Sequence, residues 1–366
     1  MSKTKSKNKK VVITGGGTGG HVFPALAIAD ELKLRGFQIS FVGTEKGMES
    51  RLVPEHGYPF FTVKTGAIKN QGLLKKLSTI FRLGLGFLWS LSFLIKTRPS
   101  AVIGVGGYVS VPVILAAASL RYPIFIQEQN VSVGLANRLL GRFANKVFLG
   151  FEQAEKHFPK NRSMLTGNPI RKQFKKENLQ PYSAENRSIL IMGGSQGARA
   201  INRAITAMLP QIKKQFGPIH ILHQTGKADF EKTQEAYRDA QISNSTVTPF
   251  ITDMADAYSQ ASLVICRAGA LTVSELVETG RPAIFVPYPR RGQNDQVDNA
   301  KLMQTQGVAK MVEEGDGFEE RLWQAITSTL EPEVLNNMAK NYSFLRTGDA
   351  VATIGDQIER SVTLGS

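Results

Sequence analysis

The chain has 366 residues, more than one hydrophobic core usually supports, and carries a formal net charge of +15, so two domains and an anionic partner are expected. Its single cysteine, Cys266, excludes a disulfide framework and points to a reducing compartment. No apolar run reaches the ~18 residues of a membrane-spanning helix, and the apolar run after the basic leader is too short for a signal peptide.

The leader "MSKTKSKNKK", residues 1–10, holds five lysines and is expected to be a solvated, disordered tail. The β-branched run "VVIT" from Val11 predicts a strand that feeds the loop "GGGTGGH", followed by an apolar-periodic helix opening at Pro24. Further runs follow in order: "QISFVG", "AVIGVG", "PIFIQE" and "KVFLG", then "SILIMGG", "IHILHQ", "SLVICRAG" and "PAIFVPY". Strands that are apolar on both faces and alternate with helical segments predict the doubly wound α/β class, with parallel sheets covered on each side. The two series imply two Rossmann-like domains. A polar, proline-bearing linker at residues 166–188 separates them, which gives an N-terminal domain over 11–165, a C-terminal domain over 166–345 and a final helix in 346–366.

Between the second and third of these runs, "GLLKKLSTIFRLGLGFLWSLSFLIK" repeats Leu73, Leu77, Ile80 and Phe81 at helical spacing beside Lys75, Lys76 and Arg82. One account is a core helix whose lysines face water. The other is an interfacial surface, with Leu, Phe and Trp89 entering the headgroup boundary and the basic residues meeting anionic lipid.

Glycines after a strand allow positive φ and close backbone approach, while the following helix start offers unpaired N–H groups to an anionic or polar ligand. Gly15, Gly17 and Gly20 match the dinucleotide pattern G-x-G-x-x-G. No carboxylate stands at the end of the second strand, where Glu45 falls late, which disfavours a dehydrogenase. No Lys-Ser or Lys-Thr follows either, so the loop is not of the Walker type. A second loop places Gly193, Gly194, Ser195 and Gly197 after another strand. Two such loops at the carboxyl ends of parallel sheets describe two domains facing a shared ligand cleft. A nucleic-acid-binding module is disfavoured, because no helix-turn-helix, zinc ligand set or aromatic-basic strand is present.

The motifs "GGGTGGHVFPALAIADEL", "GVGGYVSVP", "EQNVSVGLANRLL", "GNPIR", "GGSQGARAIN", "FITDMADAYSQASLVICRAGALTVSEL" and "PYPRRGQNDQVDNAKLM" occur in that order. On them the chain resembles the MurG family of GT-B glycosyltransferases, bacterial enzymes that add N-acetylglucosamine to the lipid-linked muramyl-pentapeptide precursor of peptidoglycan. The resemblance implies an acceptor domain first, a UDP-sugar domain second, and a last helix, "AVATIGDQIERSV", crossing back to the first. It implies a peripheral enzyme on the cytoplasmic face of the bacterial inner membrane. Its partners would be UDP-N-acetylglucosamine, an undecaprenyl-diphosphate-linked acceptor, the anionic membrane surface and proteins of division or elongation, with no nucleic acid. The alternative is a related GT-B transferase using another UDP-sugar or lipid acceptor.

An inverting transferase needs a base for the acceptor hydroxyl and a carrier for the charge on departing UDP. His21 is the base candidate, since a helix start disfavours the imidazolium; the alternative is a histidine that only orders the loop. No D-x-D triplet supplies metal ligands, so neither metal nor cofactor is expected and fixed donors must serve. By resemblance, Ser195, Arg171 and the helix start at residues 268–272 lie near the diphosphate. Arg171 read alone is a solvated linker charge. The resemblance also assigns Thr18, Gly19, Gly20, Ala270, Leu271, Thr272, Val273 and Ser274 to the UDP-sugar, and Glu275 to the ribose hydroxyls. Read alone, Glu275 is a first-turn carboxylate stabilised by the helix dipole. Ile251 matches the residue whose backbone reads uracil, Gln296 a sugar-hydroxyl ligand, and Asn130 a group near the transferred sugar or acceptor. Asp295 stands where the family often has the first of two glutamines. Gly106, Gly107 and Tyr108 form a third glycine turn that suits the acceptor's own diphosphate.

Overall fold

The computed structural model describes residues 9–63, 73–174, 181–194, 196–289 and 294–364, and of residues 73–80 and 364 the backbone only. The chain divides into two compact units, Met1–Arg171 with Thr347–Ser366, and Lys172–Arg346.

The first unit runs β1 (Lys10–Thr14), α1 (Gly19–Leu34), β2 (Gln38–Gly43), α2 (Glu49–Glu55), β3 (Phe60–Thr62), α3 (Leu73–Thr97), β4 (Ala101–Gly104), α4 (Ser110–Ser119), β5 (Ile124–Glu128), α5 (Leu135–Leu140), β6 (Lys146–Leu149) and β7 (Ser163–Leu165). Its sheet has seven strands in the order β3-β2-β1-β4-β5-β6-β7, and all neighbours pair in parallel. Alternate residues of β1 explain why a strand here is apolar on both faces. Val11 and Ile13 pack with Ile28 and Leu32 of α1, whereas Val12 packs with Val113 and Ile114 of α4 and Leu94 of α3.

The second unit runs β8 (Ser188–Met192), α6 (Arg199–Phe216), β9 (His220–Gln224), α7 (Phe230–Asp239), β10 (Ser245–Thr248), α8 (Met254–Gln260), β11 (Leu263–Cys266), α9 (Ala270–Thr279), β12 (Ala283–Phe285), α10 (Asp295–Thr305), β13 (Ala309–Met311), α11 (Phe318–Thr329) and α12 (Pro332–Asn341). Its six parallel strands follow β10-β9-β8-β11-β12-β13. The last helix, α13 (Ala350–Leu364), belongs to the first unit, where Ile354 and Ile358 join the core of Val11 and Ile13. Arg35 at the end of α1 ties it down through Asp356, at 2.6 Å, and Glu359, at 3.3 Å.

Both sheets are doubly wound Rossmann arrangements. In each, the strand order reverses beside the first strand, so a crevice opens beyond the carboxyl ends of β1 and β4 in one unit and of β8 and β11 in the other. The glycine loops leave the sheets at those two crevices.

Two local expectations are corrected. Helix α1 begins at Gly19 rather than Pro24, because the N–H groups of His21 and Val22 both reach Thr18 O and start the first turn inside the glycine loop. Lys10 is already part of β1, and Lys9 bonds Arg35 O at 3.0 Å, so the solvated leader does not extend to residue 10. Among the described residues no helix is long and apolar enough to cross a membrane.

Candidate functional site

In the first unit, the loop Gly15–Thr18 lies against the turn Gly106–Gly107. Gly15, Gly17, Gly106 and Gly107 all have positive φ. A Cβ on Gly15 would lie 2.9 Å from Gly106 O, and one on Gly107 would lie 2.7 Å from Gly16 O, so only glycine lets these two turns touch. His21, in the first turn of α1, sits at their junction. Its Nδ1 is 3.0 Å from Gly16 O and 3.4 Å from Thr18 Oγ1. Its Nε2 faces Gly106, where a Cβ would approach it to 3.0 Å. Thr18, Gly20 and Tyr108 are exposed, Gly19 is half-buried, and α1 has no side-chain cap.

Asn130 is held beside this junction by a buried polar cluster. The Glu128 carboxylate accepts from Asn130 N at 3.0 Å, Gly134 N at 3.2 Å and Asn137 Nδ2 at 3.0 Å. Asn137 Nδ2 would itself be 3.4 Å from a Cβ on Gly106, which joins the cluster to the His21 turn. Arg171, also in this unit, is not simply solvated: its guanidinium stands 5.3 Å above Phe23 of α1, two residues from His21.

In the second unit, a cavity of about 590 Å³ opens between the second glycine loop and the start of α9. Gly193, Gly194, Gly197, Thr272 and Gln296 line it, together with Arg199, Arg203, Arg267 and Glu314. Arg267 donates to Val286 O at 3.0 Å, stacks over Tyr288 and meets Glu314 Oε1 at 2.5 Å, an ion contact rather than an aligned hydrogen bond. Arg199 pairs with Asp229 at 3.6 Å, and with Arg203 and Arg267 against Glu314 the lining still carries a positive balance that attracts anions. The start of α9 also lacks a side-chain cap, so its first N–H groups add to that attraction.

Other second-unit candidates surround the same crevice. Ile251 is buried and its N–H donates to Gln224 Oε1 at 3.2 Å, while Gln224 Nε2 donates to Gly194 O at 2.8 Å. One side-chain amide therefore fixes the distance between the glycine loop and the Ile251 segment. Gln296 Oε1 accepts from Tyr288 N at 2.9 Å, and Asp295 opens α10. Glu275 lies in the second turn of α9, not the first, so the dipole account of it fails. Its Oε2 accepts from Tyr258 OH at 3.1 Å. Ala270, Leu271, Val273 and Ser274 fill the first turns of α9, and Asn299 Nδ2 steadies the preceding turn by donating to Ala268 O at 3.1 Å. Ser195 lies outside the described residues.

On α3, the side chains of Lys75, Lys76, Leu77 and Ile80 lie outside the described residues. Beyond them the helix has two distinct faces. Ser90 and Leu94 are buried against α4, whereas Phe81, Leu85, Leu88 and Ile95 are exposed, with Arg82 among them. Trp89 is half-buried and stacks on Phe93, with ring centroids 5.1 Å apart. Neither single account of this segment suffices, because the helix is core on one side and presents an apolar strip on another.

The comparisons with known proteins bear on what such a pair of sites does. Residues 11–149 match the glycosyltransferase family 28 N-terminal domain, and residues 188–354 match the glycosyltransferase family 28 C-terminal domain. A UDP-N-acetylglucosamine--N-acetylmuramyl-(pentapeptide) pyrophosphoryl-undecaprenol N-acetylglucosamine transferase of Myxococcus xanthus is 40% identical over 351 residues, covering 95% of this chain and 91% of the relative. One of the same name from Syntrophotalea carbinolica is 41% identical over 345 residues, covering 93% and 96%. The chain belongs to glycosyltransferase family 28, in its MurG branch. The crystal structure of Acinetobacter baumannii MurG superposes with a TM-score of 0.78 at 36% identity, covering 96% of this chain and 99% of that one. A glycotransferase of kitacinnamycin, at 14% identity and a TM-score of 0.71, shares the fold alone.

Within a family 28 transferase, several residues of these two sites carry no sequence expectation. Arg267 stands inside the motif "CRAGALT", and Arg199 and Arg203 follow the second glycine loop; an arginine next to a glycine turn and a helix start was the available signal. Glu49 and Gln224 gave none, since the partners of their side chains, Gly17 and Gly194, lie 32 and 30 residues away in the chain.

Proposed function

We propose that the protein transfers N-acetylglucosamine from UDP-N-acetylglucosamine to the C4 hydroxyl of lipid-linked N-acetylmuramyl-pentapeptide, turning lipid I into lipid II in peptidoglycan synthesis. The observation that carries this reading is the near-full-length match, at about 40% identity, to transferases of that name. Family 28 membership makes it a hexosyltransferase.

His21 suits the base role because its Nδ1 is engaged with Gly16 O, which leaves Nε2 free to take the proton of the acceptor hydroxyl. The hydroxyl oxygen then attacks the anomeric carbon, the bond to the UDP oxygen breaks, and the configuration inverts. Arginines of the second-unit cavity and the open start of α9 take up the charge that develops on the leaving diphosphate. Tyr258 holds the Glu275 carboxylate, which serves as acceptor for the ribose hydroxyls, and the turn Gly106–Tyr108 receives the acceptor's own diphosphate.

A polyprenyl-anchored acceptor stays in the bilayer, so the enzyme meets it at the cytoplasmic surface. The exposed apolar strip of α3 and the exposed Leu135, Leu139 and Phe143 around α5, with Arg138 and Arg142 between them, suit an anionic interface. Both helices pack on α4.

The test is incubation with labelled UDP-N-acetylglucosamine and lipid-linked muramyl-pentapeptide, with and without a chelator. Label passing to the lipid fraction at equal rates supports the reading. No transfer sinks it, and chelator-sensitive transfer replaces the fixed-donor account with a metal.

A further inference from the structure

One peptide group of the first glycine loop, Gly16–Gly17, is bonded at both ends. Its carbonyl meets His21 Nδ1 at 3.0 Å, and its N–H donates to Glu49 Oε2 at 2.8 Å. A carbonyl can only accept, so Nδ1 carries a proton at this contact and Nε2 is the basic nitrogen. The longer contact of Nδ1 to Thr18 Oγ1, 3.4 Å, shares that proton.

Glu49 is 1% exposed, and its other oxygen accepts from Thr44 N at 3.0 Å and Thr44 Oγ1 at 2.7 Å. Among the described residues no lysine, arginine or histidine forms an ion pair with it. Three glycines leave it room, because a Cβ on Gly16, Gly43 or Gly47 would come within 2.2, 2.6 and 2.2 Å of the Glu49 side chain. A buried carboxylate costs several kcal/mol unless its surroundings are built to hold it, and here the loop's composition is that provision.

We propose that Glu49 is a positioning residue for His21, acting through the Gly16–Gly17 peptide as a carboxylate acts directly on the histidine of a hydrolase triad. The inference rests on the reading of His21 as the base. The negative charge polarises the peptide, enriches Gly16 O, and strengthens the hydrogen bond from Nδ1. That fixes the tautomer and ring plane and stabilises the imidazolium formed during transfer. The proton of the acceptor hydroxyl ends on Nε2, the oxygen bonds to the anomeric carbon, UDP leaves with the electron pair of the broken bond, and the imidazolium later returns its proton to water. Glu49 itself takes no proton.

Other ionisable groups around His21 lack this path. Glu128 on β5 is bonded to Asn130, Gly134 and Asn137. Tyr108 is exposed after β4, Arg171 stacks on Phe23, and Asp356 and Glu359 of α13 pair with Arg35 at the far end of α1.

Glu49→Gln keeps the size of the side chain and removes its charge. Turnover should fall about 10-fold or more but less than in His21→Ala, with the KM for UDP-N-acetylglucosamine unchanged. The ascending limb of the pH profile should move to lower pH, because loss of the negative charge makes the imidazole less basic. In a His21→Ala background the substitution should add nothing. An additive loss in that background with an unmoved pH limb makes Glu49 merely structural and overturns the proposal. Should the variant fail to fold, nitrogen NMR of histidine-labelled wild-type protein decides: a neutral His21 protonated on Nδ1 agrees, and one protonated on Nε2 contradicts. Near-normal turnover of His21→Ala instead removes the base reading itself, an outcome separable from either result on Glu49.

Discussion

The two glycine loops follow the same kind of strand and precede the same kind of helix, yet they have opposite electrostatics. In the first, Gly17 N–H is consumed by the buried carboxylate of Glu49, so the loop carries a negative charge beneath it and holds out an imidazole. In the second, a neutral amide does the holding, with Gln224 Nε2 on Gly194 O, and the Asp229 carboxylate is taken up by Asn202 Nδ2 at 2.9 Å and Arg199 at 3.6 Å. Arginines 199, 203 and 267 line the space beyond. Each unit also has a histidine near its loop, and these differ as sharply. His223 is fully buried between Tyr237 OH and Asn202 Oδ1, each at 3.1 Å, and burial pushes it down to about 3, so it stays neutral and structural, whereas the His21 side chain is half-exposed at the crevice. A glycine-rich turn therefore specifies close backbone approach, and the sign of what lies under it decides whether it suits an anion or a base.

The sharpest way to break this comparison is His21→Ala. Turnover should fall by about 100-fold or more, the usual scale for a general base, while UDP-sugar affinity stays nearly constant; steady-state kinetics beside equilibrium binding separates the two. A variant with near-normal turnover would reduce His21 to a loop-ordering residue. Next in size is Arg267→Met, which should weaken UDP binding by about 3 kcal/mol, since it removes a charged donor and leaves Glu314 facing the diphosphate. Calorimetry with an unchanged Kd would take the anion out of this cavity. Glu275→Ala should weaken UDP by roughly 1.5 to 3 kcal/mol if a charge-assisted bond to ribose is lost, and the same variant should bind a nucleotide lacking the ribose hydroxyls as well as wild type does. The smallest effect per residue is at the membrane. Each lysine near an anionic surface contributes about 1 kcal/mol, screened over roughly 8 Å at physiological salt. Lys75→Glu with Lys76→Glu should abolish salt-sensitive sedimentation with anionic vesicles and leave UDP-sugar binding intact; identical sedimentation at low salt would move the membrane contact to the α5 face.

How much of this was legible in the sequence follows from burial. The nine β-branched runs all became strands, β1, β2, β4, β5, β6, β8, β9, β11 and β12. The strands that went unread, β3, β7, β10 and β13, are the four edges of the two sheets. Each has three or four residues, and β3 and β10 are largely unburied, so they lack the continuous apolar run that a central parallel strand requires. At the site, the glycine loops were visible because their signal is local. Glu49 was not, since its partner Gly17 is 32 residues away and its own neighbourhood reads as an ordinary first-turn carboxylate of α2. Gln224 and Glu128 were hidden in a different way: each sits at the end of an apolar strand, where the sequence shows the strand and not the contact its last side chain makes.

The division of labour between the loops is tested most directly by a crystal structure of the protein with UDP. The diphosphate should rest on the second glycine loop and the start of α9 with Arg267 in hydrogen-bond reach, and Gly17 N–H should remain on Glu49. A diphosphate seated on Gly15–Thr18, with Glu49 displaced from Gly17, would contradict it.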